Sequence, residues 1–71
     1  MTYKCSVDIV LPVLNEQEAL LASISRLLKF CSEEMLSYNW NIIIADNGST
    51  DETYNIGKQI ESDLKNVNVI K

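Results

Sequence analysis

Two short stretches hold the residue types that could do chemistry. The first is Pro12-Val13-Leu14-Asn15-Glu16 and the second is Asp46-Asn47-Gly48-Ser49-Thr50-Asp51. An ionised Asp only accepts hydrogen bonds, so Asp46 suits a ring N–H of a base or the hydroxyls of a ribose. Gly48 permits close approach or a positive φ in a turn. Neither stretch is a Gly-x-Gly-x-x-Gly or a Gly-x-x-x-x-Gly-Lys-Ser/Thr loop, and neither contains Lys or Arg. A bare diphosphate would be repelled by this acidic rim unless a divalent cation came with it. A bland reading stands beside each stretch. Asp46 to Asp51 also suits a strand-to-helix turn with a good cap, and Asn15-Glu16 also suits a helix start. The order Asp-x-Asp-x-Asp-Gly of an EF-hand is absent.

The flanking residues set what must position these stretches. Val7 to Val13 is an apolar, β-branched run broken only by Asp8, and reads as a buried strand with Pro12 near its exit. Asn15 and Glu18 have the spacing of a capping box, with Glu16, Gln17 and Glu18 filling a first helical turn. Leu20, Ile24, Leu27, Cys31 and Met35 then recur at helical spacing, and the helix should fade near Ser37-Tyr38-Asn39. Trp40 to Ala45 reads as a second strand, its run Ile42-Ile43-Ile44 implying burial on both faces. Ser49 and Glu52 form a second capping-box pattern. The helix it opens should turn Thr53, Ile56 and Ile60 inward and break at Asn66. Val67 to Ile70 begins a third strand. The order β-α-β-α-β predicts an α/β fold with a parallel sheet covered by helices. In such sheets ligands bind beyond the carboxyl ends of the strands, where both stretches fall.

Composition removes several function classes. The chain has 71 residues, 46% hydrophobic and 23% charged, with a net charge of −4. That balance suits a folded domain and offers no electrostatic footprint for nucleic acid. There is no histidine, which excludes a Ser–His–Asp or Cys–His nucleophile system in this segment. Cys5 and Cys31 stand apart in apolar stretches and read as buried free thiols of a reducing compartment. No run of about 18 apolar residues is present, so no span is expected. The start does not resemble a signal peptide, and the chain reads as cytoplasmic or cytoplasm-facing.

Taken together, the two stretches resemble family 2 glycosyltransferases. Val7-Asp8-Ile9-Val10-Leu11-Pro12-Val13-Leu14-Asn15-Glu16 is similar to the family's opening strand and Pro-x-x-Asn-Glu loop. The segment from Asn41 to Thr53 is similar to its second strand and Asp-Asp/Asn-Gly-Ser-x-Asp turn. Within the family, the branch resembled is the dolichyl- or polyprenyl-phosphate mannose or glucose synthase type. The resemblance implies a UDP- or GDP-sugar donor, a polyprenyl phosphate among the conceivable acceptors, and Mg²⁺ or Mn²⁺. It implies that Pro12, Leu14 and Glu16 line the nucleoside pocket and that Asp46 holds base or ribose. Asn47 stands where a second Asp is frequent and could still hydrogen-bond. Ser49, Thr50 and Asp51 read as structural. The family's Asp-x-Asp metal motif and its catalytic base lie downstream of such a segment. Residues 1–71 are therefore expected to be the N-terminal nucleotide-binding portion of a larger domain, and inactive in isolation. A different class remains open: a non-catalytic nucleotide-binding or dimerising α/β module, its sheet edge and apolar faces buried in a homodimer. A nucleotidyltransferase of similar fold would want a basic, glycine-rich phosphate loop that Pro12 to Glu16 does not provide.

Overall fold

The computed structural model describes residues 5–71. The chain runs β1 (Cys5–Val13), α1 (Leu20–Glu34), β2 (Tyr38–Asp46), α2 (Thr53–Asp63) and β3 (Val67–Ile70). The strands form one parallel sheet in the order β1-β2-β3. The expected α/β class and element order are therefore present. Among the described residues, no helix is long and apolar enough to cross a membrane.

Alternation along the strands explains the core. Val13 on β1, Ile42 and Ile44 on β2, and Val67 and Val69 on β3 pack with Leu20 and Ile24 of α1 and Ile60 of α2. Each large side chain enclosed this way contributes roughly 1.5–3 kcal/mol. The two crossovers step in one direction across the sheet, and crossovers of a common hand then bring both helices to one face. The opposite face carries Val10 and Ile70, both more than half exposed, with Ile43 half-buried. This corrects the expectation of burial on both faces: the Ile42-Ile43-Ile44 run has its middle residue on the uncovered side.

Other boundaries move in ways that follow from backbone bonding. β1 and β2 start earlier than expected, at Cys5 and Tyr38, because Cys5 registers with Tyr38 in the ladder. Met35 ends α1 rather than extending its face, its amide donating to the Cys31 carbonyl. Helix α2 ends at Asp63 with Leu64 extended, before the expected break at Asn66. Asn66 instead gives its carbonyl to the Ile42 amide at 2.8 Å. Cys31 is fully enclosed, and burial pushes its thiol pKa up. Cys5 is exposed at the start of β1, against the expectation of two buried thiols.

The two outer strands are treated differently. The Asn47 amide bonds the Val13 carbonyl, so Val13 faces β2 and Pro12 turns its nitrogen to the outer edge, where no ladder bond is lost. On β3, Asn66 faces β2, so the Val69 amide faces outward. It donates to Glu61 Oε2 at 3.0 Å, and Glu61 also pairs with Lys58 at 2.8 Å. A charged side chain of α2 thus takes up one outward amide of the β3 edge.

Candidate functional site

The carboxyl ends of β1 and β2 lie side by side, Val13 registering with Asp46. The loops that leave them, residues 14–19 and 47–52, are joined by a ladder of side-chain bonds. Three successive amides of the first loop donate to side chains of the second loop and of Thr53, the first residue of α2. Asn15 N–H donates to Ser49 Oγ at 2.9 Å, Glu16 N–H to Thr53 Oγ1 at 2.8 Å, and Gln17 N–H to Asp51 Oδ2 at 3.3 Å. Two bonds return. Thr50 N–H donates to Asn15 Oδ1 at 2.8 Å, and Glu52 N–H to Gln17 Oε1 at 2.9 Å.

Behind the first two contacts stand two carboxylates in the same arrangement. Ser49 donates its hydroxyl to Asp46 Oδ1, which also accepts the Ser49 amide at 3.0 Å. Thr53 donates its hydroxyl to Asp51 Oδ1, which also accepts the Thr53 amide at 2.9 Å. Each unit is a carboxylate, a hydroxyl and an amide of the facing loop. The hydroxyl can serve both neighbours because it is donor and acceptor at once. Among the described residues, no fully buried side-chain nitrogen or oxygen lacks a partner. The Thr53 hydroxyl holds the Asp51 carboxyl below the usual carboxylate range, helped by the Thr53 and Gln17 amides and opposed by desolvation.

This ladder replaces both expected capping boxes. Helix α1 starts at Leu20 with Ala19 as its cap residue and no side-chain cap bond. Asn15 sits at φ 50°, a left-handed conformation, and its side chain serves the other loop. With the amides of Asn15, Glu16 and Gln17 held by Ser49, Thr53 and Asp51, the chain cannot curl until the Glu16 carbonyl accepts from Ala19 and Leu20. Helix α2 likewise starts at Thr53, with no side-chain bond from its cap residue Glu52. Ser49 is turned to Asp46 and Asn15, and Glu52 accepts from Asn55 Nδ2 at 2.6 Å. Ser49, Thr50 and Asp51 do build the turn, by bridging the loops. The sequence reading missed Asn15, Gln17 and Thr53 as bridging residues. Thr53 on an otherwise apolar inner face was the available signal, because a buried hydroxyl needs a partner.

The expected ligand-facing residues are not all brought together. Leu14, Glu16 and Asn47 are exposed around the strand tips. Gly48, at φ 95°, carries the turn after Asn47. Pro12 is exposed on the uncovered face, paired with Ala45, whereas Asp46 is only 4% exposed on the helix-covered face. A ligand touching both must lie across the strand tips. The amides of Asn15, Glu16 and Gln17 are no phosphate cradle, because the side chains of Ser49, Thr53 and Asp51 already hold them. Nor do the acidic groups form a divalent-cation site by themselves. Asp46 and Asp51 each commit Oδ1 to a hydroxyl and an amide, and no three Asp, Glu or Cys side chains converge among the described residues.

Comparison with known proteins places this geometry in context. The family model described as Glycosyl transferase family 2 matches residues 8–71. Over 58 residues the chain is 36% identical to the undecaprenyl-phosphate 4-deoxy-4-formamido-L-arabinose transferase of Pectobacterium carotovorum subsp. carotovorum (strain PC1). That alignment covers 82% of this chain and 17% of the relative. No solved structure matches.

Proposed function

The chain belongs to glycosyl transferase family 2, and we propose that its residues form one wall of the nucleoside pocket of a sugar-nucleotide-dependent transferase. One observation carries the reading: the loops after β1 and β2 are bonded into a single platform at the strand tips, where open α/β sheets receive ligands. Pro12, Leu14 and Glu16 would border the nucleoside from β1, and Asp46 and Asn47 from β2. The donor is a UDP- or GDP-hexose. The acceptor is a polyprenyl phosphate, a class that the name of the Pectobacterium relative supports. The mannose or glucose synthase branch stays the finer expectation. Mg²⁺ or Mn²⁺ would be held by residues outside 1–71, as would the groups that act on the acceptor. This segment's own part is to bind and orient the base and ribose.

Amide-resolved titration of the 71-residue chain with UDP and with GDP tests the reading. Shifts confined to residues 12–16 and 46–48 are expected, larger for the base that the donor carries. Absence of shifts at millimolar nucleotide overturns it. The same chain should release no nucleoside diphosphate from a sugar nucleotide above a no-protein control. Release would place the catalytic groups within these residues.

A second reading, a non-catalytic dimerising module, draws on the uncovered strip of Val10, Ile43 and Ile70. Light scattering separates the two, since a monomer at high protein concentration removes the dimer.

A further inference from the structure

We propose that Thr53, backed by Asp51, is a positioning residue that holds the first loop in its nucleotide-receiving shape. This rests on the reading of the two loops as a nucleoside wall. Thr53 is fully buried at the start of α2. Its hydroxyl accepts the Glu16 amide at 2.8 Å and donates to Asp51. Asp51 in turn accepts the next amide, that of Gln17, so one rigid unit fixes two consecutive peptide planes of the facing loop.

The local backbone needs such a hold. Asn15, directly before Glu16, sits at φ 50°. Asn enters that region more readily than other non-glycine residues, and contacts from its surroundings hold it there. Leu14 and Glu16 flank this residue, and both side chains are exposed. Their direction over the strand tips is therefore set by the Asn15 backbone and by the contacts that hold it. Ser49 fixes the amide of Asn15 and Thr53 the amide of Glu16. Ser49 sits on the second loop, whereas Thr53 is anchored in the core by α2. Thr53 therefore ties the first loop to the helix-covered core, and not only to its neighbour. Its effect on the ligand runs through Leu14 and Glu16, without contact of its own.

The test compares the wild-type chain with Thr53→Val, which keeps the shape and removes the hydroxyl, and Thr53→Ser, which keeps the hydroxyl. Two readouts are taken well below each melting temperature. The first is hydrogen exchange at the Glu16 amide without nucleotide, which should speed up in Thr53→Val and stay protected in Thr53→Ser. The second is UDP and GDP affinity by titration. Thr53→Val should weaken the preferred nucleotide about tenfold, as loss of a hydrogen bond to a charged group's partner would, while Thr53→Ser stays within about twofold. Equal affinity of Thr53→Val and wild type overturns the proposal and leaves the pocket reading standing. Failure of the wild type to bind either nucleotide overturns both. Should Thr53→Val not fold, Asp51→Asn takes its place: it keeps Thr53 in the core and leaves one acceptor oxygen where the carboxylate offers Oδ1 to Thr53 and Oδ2 to the Gln17 amide. A several-fold weakening then supports the proposal, and unchanged affinity overturns it.

Discussion

Asn15 and Thr50 meet across 35 positions of sequence, with Asn15 Oδ1 accepting the Thr50 amide at 2.8 Å while the Asn15 backbone lies at φ 50°. One residue thus supplies a bridging acceptor and tolerates a left-handed turn, a pairing that Asn meets better than most residues. The two roles separate by substitution. Asn15→Gly loses the bridge but suits the backbone. Asn15→Ala loses the bridge and adds about 1 kcal/mol of backbone strain. Stability by urea unfolding should fall in the order wild type, Gly, Ala. An Ala variant as stable as the Gly variant would show that the backbone here is not left-handed.

Gly57 gives a second test of close packing. A Cβ placed there would lie 2.9 Å from Val69 Cγ2 and 3.3 Å from Val69 Cβ. In an open helix Gly→Ala gains roughly 1 kcal/mol from propensity. Here α2 presses against β3, and the β-branched Val69 has little rotamer freedom to yield. Gly57→Ala is expected to destabilise by about 1–3 kcal/mol. In a double-mutant cycle with Val69→Ala, much of that loss should be recovered. A stabilising Gly57→Ala would mean that the helix stands further from the sheet.

These positions show what the sequence could and could not disclose. Element order and the inward residues Leu20, Ile24, Ile42, Ile44 and Ile60 were legible, because periodicity reports burial directly. The two motif loops were legible as a pair at the strand tips. The capping boxes were misread because a Ser or Asn before a helix can bond its own helix or a neighbouring loop, and local spacing is the same for both. Which amide Ser49 or Thr53 would meet depends on the Val13–Asp46 register, a long-range fact. The Ile42-Ile43-Ile44 run was over-read for a similar reason: hydrophobic identity shows that a face is apolar, not that something covers it.

Adjacent isoleucines on β2 measure that asymmetry. Ile44 is fully buried, whereas Ile43 is half-buried on the uncovered face. Ile44→Ala should cost about 2–5 kcal/mol through lost burial and a cavity. Ile43→Ala in the same chain should cost about 1 kcal/mol, in line with its smaller loss of buried area. Equal costs would mean that something covers Val10, Ile43 and Ile70 in solution, and light scattering at the same concentration would show whether a second copy does.

Asp51 in the loop ladder and Glu61 at the β3 edge make stability depend on pH in a stated direction. Asp51 is held below its usual range by the Thr53 hydroxyl first. Glu61 is held below its range by the Lys58 side chain first and then by the Val69 amide. A carboxyl whose folded pKa lies below its unfolded value binds protons more readily in the unfolded chain. Its contribution is therefore complete above the ordinary carboxylate range, near pH 4, and is lost as pH falls through the folded value. Both groups sit at the surface, where solvent screens them, so each effect should be modest. Asp51→Asn and Glu61→Gln should each lower stability near neutral pH. Each should also flatten the decline of the urea midpoint as pH falls below the ordinary carboxylate range. The double variant should be flatter than either, since Asp51 and Glu61 share no hydrogen-bond partner. An Asp51→Asn variant with the full wild-type slope would show that Asp51 is not bonded to Thr53 and Gln17 in solution, and would remove the ladder's carboxylate from the account.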